Sequence, residues 1–138
     1  MRDKAGFSLV ELGITVFIIT IISAVVLTGL SHYRQKAQVV FQQKIIEQSL
    51  AYAKQTALAK QDNVDVLFFD NSFTIQTDDE ILEERKLSKP FSVSSLRLGY
   101  NAAGNPRFAG TLYLYRQGRI VARMTSAVGS GILTWTRQ

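Results

Sequence analysis

The chain has 138 residues, no cysteine and a formal net charge of +5. That length allows one small domain beside a terminal segment, and the missing thiols exclude disulfides, thiolate nucleophiles and Cys-ligated zinc. The first 30 residues carry two charges of each sign (Arg2 and Lys4, Asp3 and Glu11), so the whole basic excess belongs to residues 31–138; an excess of this size permits contact with polyanions without demanding it.

In chain order, the first predicted element is a greasy helix. Residues 12–30 carry no charge and are dominated by Ile, Val and Leu, about the length needed to cross a bilayer. A basic start, Arg2 and Lys4, precedes it, but no small-residue cleavage site follows the apolar run as it would in a secretory signal. The flanking charges, Arg2 and Lys4 before and Arg34 and Lys36 after, do not orient the span. Glu11 stands out, because a carboxylate in a membrane helix costs roughly 2.5–3.5 kcal/mol on insertion scales.

The helical pattern continues past the apolar run. Residues 31–63 lack Pro and Gly and are rich in Gln, Ala, Lys and Leu, all compatible with helix. Val39, Ile46, Leu50, Ala53 and Ala57 mark one helical face, and Phe41, Ile45 and Tyr52 are expected to widen it. One helix is therefore predicted from about Ser8 to about Gln61, greasy all round at first and then amphipathic. Gly29 permits a bend, and Asp62-Asn63 supplies the stop.

The period then changes. VDVLFF (64–69) and SFTIQT (72–77) read as strands around an Asp70-Asn71 turn. The charged stretch 78–90 is open between a loop, a short strand at Ile81-Leu82 and a helical turn. SVSSLRLGY (92–100) alternates as a strand, and residues 101–110 are turn chemistry. TLYLYRQ (111–117) and RIVARMT (119–125) form a second hairpin about Gly118, and residues 128–135 give a last turn and strand. The expected architecture is α+β, a long N-terminal helix packing its apolar stripe on an antiparallel sheet.

The stretch KAGFSLVEL followed by an apolar helix resembles the class III signal of type IV pilins and type II secretion pseudopilins. The resemblance implies a leader at residues 1–6, a transmembrane and filament-core helix at 7–30, and an exported pilin domain at 31–138 (amphipathic helix 31–61, β domain 62–138). A prepilin peptidase would cut between Gly6 and Phe7 on the cytoplasmic side and methylate Phe7. Glu11 matches the family's glutamate, which can pair with the Phe7 amine of a neighbouring subunit and so is satisfied only in the polymer. Many relatives carry a Pro in the middle of this helix; here the first Pro is Pro90. GNPRFAGTLYLY, the following strand and VGSGILTW resemble the GspH/FimT group of minor pilins, nearest to the ComGD-type minor pilins of Gram-positive competence pili. The implied function is a minor pilin of a competence-type pilus acting in DNA uptake. The alternatives are a type II secretion pseudopilin and a membrane-anchored DNA receptor. The implied partners are the prepilin peptidase, other pilins, the membrane before assembly, and DNA; the implied location is the cell membrane, N-terminus inside, and then the cell surface.

The remaining residues suggest less chemistry. His32, the only histidine, reads as a polar residue at the membrane edge. Asp78, Asp79, Glu80, Glu83 and Glu84 lack the ligand spacing of a calcium loop and read as a solvated charged loop. No phosphate-binding Gly loop occurs, and neither an enzyme nor a cofactor is expected. Arg97, Arg107, Arg116, Arg119, Arg123 and Arg137 fall late in the chain among Tyr113, Tyr115 and Trp135, a mixture suited to phosphate contact and base stacking. Arg116, Arg119 and Arg123 are the candidate DNA contacts, and alternation along one strand predicts that Arg119 and Arg123 share a face with Arg116 nearby. The bland alternative is a solvated sheet face.

Overall fold

The computed structural model describes residues 8–128 and 133–137. The expected cleavage and methylation positions, Gly6 and Phe7, and the turn at 129–131 lie outside them. The chain divides into two compact units, Met1–Gln38 and Val39–Gln138, and one helix, α1 (Leu9–Lys60), contributes to both.

In the first unit, Ser8 caps the helix: its Oγ accepts the Glu11 N–H at 3.2 Å and its carbonyl accepts the Leu12 N–H at 3.1 Å. Every described side chain from Leu9 to Leu27 is exposed, and the segment is long and apolar enough to cross a membrane. The helix runs through Gly29 without a break.

In the second unit, α1 lies on a seven-stranded antiparallel sheet. The strands are β1 (Val64–Asp70), β2 (Ser72–Gln76), β3 (Ile81–Lys86), β4 (Phe91–Tyr100), β5 (Gly110–Arg116), β6 (Arg119–Ser126) and β7 (Leu133–Arg137), in spatial order β3-β2-β1-β4-β5-β6-β7. This is the expected α+β arrangement. Ile46, Leu50, Ala53 and Ala57 are fully buried against the inward residues of the sheet, among them Val66, Phe68, Phe73, Ile75, Leu112, Leu114 and Met124. Val39 and Ile45 pack at the margin. Phe41 and Tyr52 do not widen the stripe; both are exposed, whereas Gln42, Gln43 and Ser49 are buried. Helical phase explains the exchange. Gln42 stands four residues before Ile46 on the buried face, and each single step rotates a side chain by about 100°.

Helix α1 ends at Lys60, one residue before its expected end at Gln61. Gln61 takes the left-handed conformation (φ 52) and the Asp62 N–H reaches back to the Ala57 carbonyl at 3.3 Å, the pattern of a Schellman cap. The charged stretch after β2 resolves into a six-residue strand, so Glu83 and Glu84 belong to β3 rather than to a loop. Its charges suit its place at the sheet edge, where they oppose pairing with another chain. The β5–β6 hairpin turns through Gln117 and Gly118, both at positive φ (52 and 76), as a two-residue primed turn requires.

Candidate functional site

Two regions follow from the sequence reading: the head of α1 and the late arginines. At the helix head, each polar side chain from Thr15 to Ser23 is silenced by the helix itself. The hydroxyls of Thr15, Thr20 and Ser23 donate to the carbonyls of Glu11, Val16 and Ile19, each at 2.8 Å. Such back-bonding hides a hydroxyl from an apolar surrounding. Among the described residues, the Glu11 carboxylate has neither a hydrogen bond nor an ion pair. Its position in the first turn is one that the helix dipole favours by about 0.3–1 kcal/mol, well short of the insertion cost. The Ser8-to-Glu11 spacing is that of a capping box, of which the Ser8 half is formed through the Glu11 backbone N–H, a local role for Ser8 that sequence reasoning passed over although the S-x-x-E signal was present.

The late arginines do not form one patch. Inward residues pair across β5 and β6 as Leu112 with Met124 and Leu114 with Ala122, and outward ones as Tyr113 with Arg123. The register then slips, with Tyr115 opposite Ile120 and Arg116 opposite Arg119. Val121 is the extra residue, and a bulge of this kind reverses the facing of everything beyond it. Arg116 lies opposite buried Phe91, with its guanidinium 6.0 Å from that ring. Arg116 and Arg119 thus end on the helix-facing side of the sheet and Arg123 on the outer side. The expected shared face of Arg119 and Arg123 does not exist, because simple alternation fails across the bulge.

A different constellation assembles on the outer face. Asp65 of β1 is 3% exposed although it points away from the helix. Arg97 of β4 donates to its carboxylate through Nε at 3.0 Å and also through Nη2, and Arg107 through Nη1 at 3.3 Å. Both guanidiniums lie over the Phe108 ring, at 4.8 and 5.2 Å from its centroid. Gly99 faces Asp65 across the register, and a Cβ there would run into the carboxylate. The segment carrying Arg107 is itself fixed. The Arg107 N–H bonds the Gly99 carbonyl at 2.8 Å, Asn101 Oδ1 accepts from Ala103 and Asn105 at 3.0 and 2.9 Å, and Gly104 (φ 75) seats on Leu58 of α1. No sequence signal marked Asp65, because its partners lie 32 and 42 residues away. Arg97 remains half exposed and Arg107 partly so, which leaves a cation–aromatic surface open to solvent.

At the end of α1, Lys60 is ion-paired to Glu80, and that hydrogen bond raises the lysine's pKa. Burial raises that of the Tyr100 phenol. Asp78 and Asp79 are exposed, as expected of a solvated turn. Among the described residues no group of three or more His, Asp or Glu side chains could hold a metal ion. No family model matches this chain, and neither a curated protein nor a solved structure matches it.

Proposed function

We propose that this chain is a pilin-like subunit, a minor pilin of a competence-type type IV pilus that takes part in DNA uptake. One observation carries the reading. An apolar helix, exposed on all sides, hides every described polar group from Thr15 to Ser23 and leaves one carboxylate, Glu11, without a partner among the described residues. In the monomer the helix dipole returns only about 0.3–1 kcal/mol against that carboxylate's insertion cost of roughly 2.5–3.5 kcal/mol. A filament in which the carboxylate meets a neighbour's free amine satisfies both charges and fixes the stagger of subunits. The KAGFSLVEL stretch supplies that amine through cleavage between Gly6 and Phe7. The subunit then resides in the cell membrane with its N-terminus inside until it joins a surface filament.

Processing is tested directly. Gly6→Val is expected to leave the chain in the membrane as a precursor heavier by residues 1–6. The intact mass and N-terminal peptide of the wild type are expected to begin at a methylated Phe7. A mature terminus at any other residue overturns the assignment. Deletion strains separate the filament readings: loss of transformation supports the competence pilus, and loss of exoprotein release with transformation intact supports the secretion pseudopilin.

The DNA-receptor reading draws on the outer face, where Arg97, Phe108, Tyr113 and Arg123 combine cations with rings. The full chain in nanodiscs of zwitterionic lipid is expected to retard duplex DNA at low salt, with affinity falling by roughly 0.9 log units per decade of salt for each phosphate contacted. Since the bulge separates them, Arg123→Gln and the pair Arg116→Gln, Arg119→Gln are compared separately. The face that touches DNA is the one whose loss flattens the salt slope. Absence of any shift at low salt leaves the filament role alone.

A further inference from the structure

The folded unit is electrically polar in a way the sequence does not display. Three connections are laced together at one pole. The Leu87 N–H bonds the Asn71 carbonyl at 2.7 Å, the Phe91 N–H that of Ser88 at 3.0 Å, and the Gln117 N–H that of Pro90 at 3.2 Å. Around them stand Lys86, Lys89, Arg116 and Arg119, none of them in an ion pair among the described residues, against a single acid, Asp70. Lys86, Lys89 and Arg119 are exposed, and so are Pro90 and Ile120 between them. The other pole carries Asp62, Asp78 and Asp79, without ion-pair partners among the described residues, and the Lys60–Glu80 pair.

Helix α1 begins its course over the sheet at the basic pole. Arg85, next to Lys86, donates to Ser49 Oγ at 3.4 Å, whereas Lys60 meets Glu80, the residue just before the far end of the same strand. The helix therefore runs from the basic pole to the acidic one. Only residues 31–38 separate the greasy run ending at Leu30 from Val39, where this unit starts. Even fully extended, they reach no further than about 30 Å.

We propose that this basic pole docks on an anionic membrane surface while the subunit awaits assembly. The proposal rests on the membrane-anchored reading of residues 7–30 and does not depend on the pilus. Covalent connection to the membrane segment keeps the pole at a high effective concentration beside the headgroups. Lysine and arginine are attracted by the negative surface potential, which acts within about a Debye length. Ile120 and Pro90 give the pole apolar tips for the headgroup region. The acidic pole is repelled by the same surface, so charge alone selects which end approaches.

The absence of cysteine makes the test clean. The full chain carrying Ser88→Cys or Asp79→Cys, labelled with a fluorophore, is reconstituted in phosphatidylcholine vesicles with or without phosphatidylglycerol, all containing a headgroup-linked quencher. Flotation of each sample reads insertion independently. The Ser88 label is expected to be quenched several-fold more in anionic vesicles, the gain vanishing in high salt, and the Asp79 label to be unaffected. Lys89→Gln with Arg119→Gln is expected to weaken docking roughly 25-fold, about fivefold for each charge removed. Equal quenching at the two positions, or in the two lipids, or in the double variant, overturns the proposal. Shielding of the Ser88 label by a short DNA duplex, with no response to lipid, would instead make the pole a nucleic-acid surface. Failure to float refutes the anchor itself and the docking with it, whereas failure of the pilus reading alone leaves the quenching pattern intact.

Discussion

Glu11→Ala is expected to leave the subunit in the membrane and to all but remove it from filaments. The substitution deletes a charge that costs roughly 2.5–3.5 kcal/mol to insert, so the membrane-bound pool does not shrink. Breaking one side of a buried pair typically costs about 3–5 kcal/mol, which corresponds to more than 100-fold in subunit association. The measurement is the ratio of this chain in sheared filaments to that in the membrane fraction. Glu11→Gln separates the two roles the residue can play. The Ser8 cap uses the Glu11 backbone N–H, and glutamine serves a capping box as well as glutamate. If capping were the whole function, the Gln variant would assemble normally. If pairing with a neighbour's amine is the function, both variants fail alike.

Arg97→Ala combined with Arg107→Ala is expected to destabilise the globular unit by about 3–5 kcal/mol, the usual consequence of leaving one member of a buried ionic cluster uncompensated. The Asp65 carboxylate is almost inaccessible, and those two guanidiniums are its only ion-pair partners among the described residues. For a unit of this size the loss corresponds to a fall in Tm of more than ~10 °C. Trp135, the single tryptophan, packs against the core and reports unfolding. Asp65→Asn, which keeps the shape and removes the charge, is expected to cost less, about 1.5–3 kcal/mol. Adding Asp65→Ala to the double arginine variant is expected to restore part of the loss, since the stranded charge is then gone. A double variant within about 1 kcal/mol of wild type would show the cluster to be ornamental.

How much of this was legible in the sequence varied with the range of the interaction. The helix from Leu9 to Lys60 was readable because its apolar run and its Ile46–Ala57 stripe are local periodicities. The hairpins were readable because Asp70-Asn71 and Gly118 are local turn signals. Phe41 and Tyr52 look like core by residue type, but helical phase turns both to solvent. The β3 strand has no local signal, because a charged segment can form a strand only with a neighbour to pair with, and that neighbour is a tertiary fact. The Asp65 cluster was out of reach for the same reason, since it joins three separate segments. The arginine patch failed on a single residue, Val121, whose bulge has no sequence marker.

That one residue also sets a frame. Reading β6 backwards from Met124, side chains alternate in step with β5 as far as Ala122, and beyond Val121 the alternation resumes one count out. Deleting Val121 would restore the count, and Arg119 and Ile120 would exchange sides without any change to their own chemistry. Arg119 would then join Arg123, and the hairpin tip would trade a cation for an isoleucine on the side facing α1. Which surface of the subunit is charged is thus written in the length of a strand as much as in the identity of its residues.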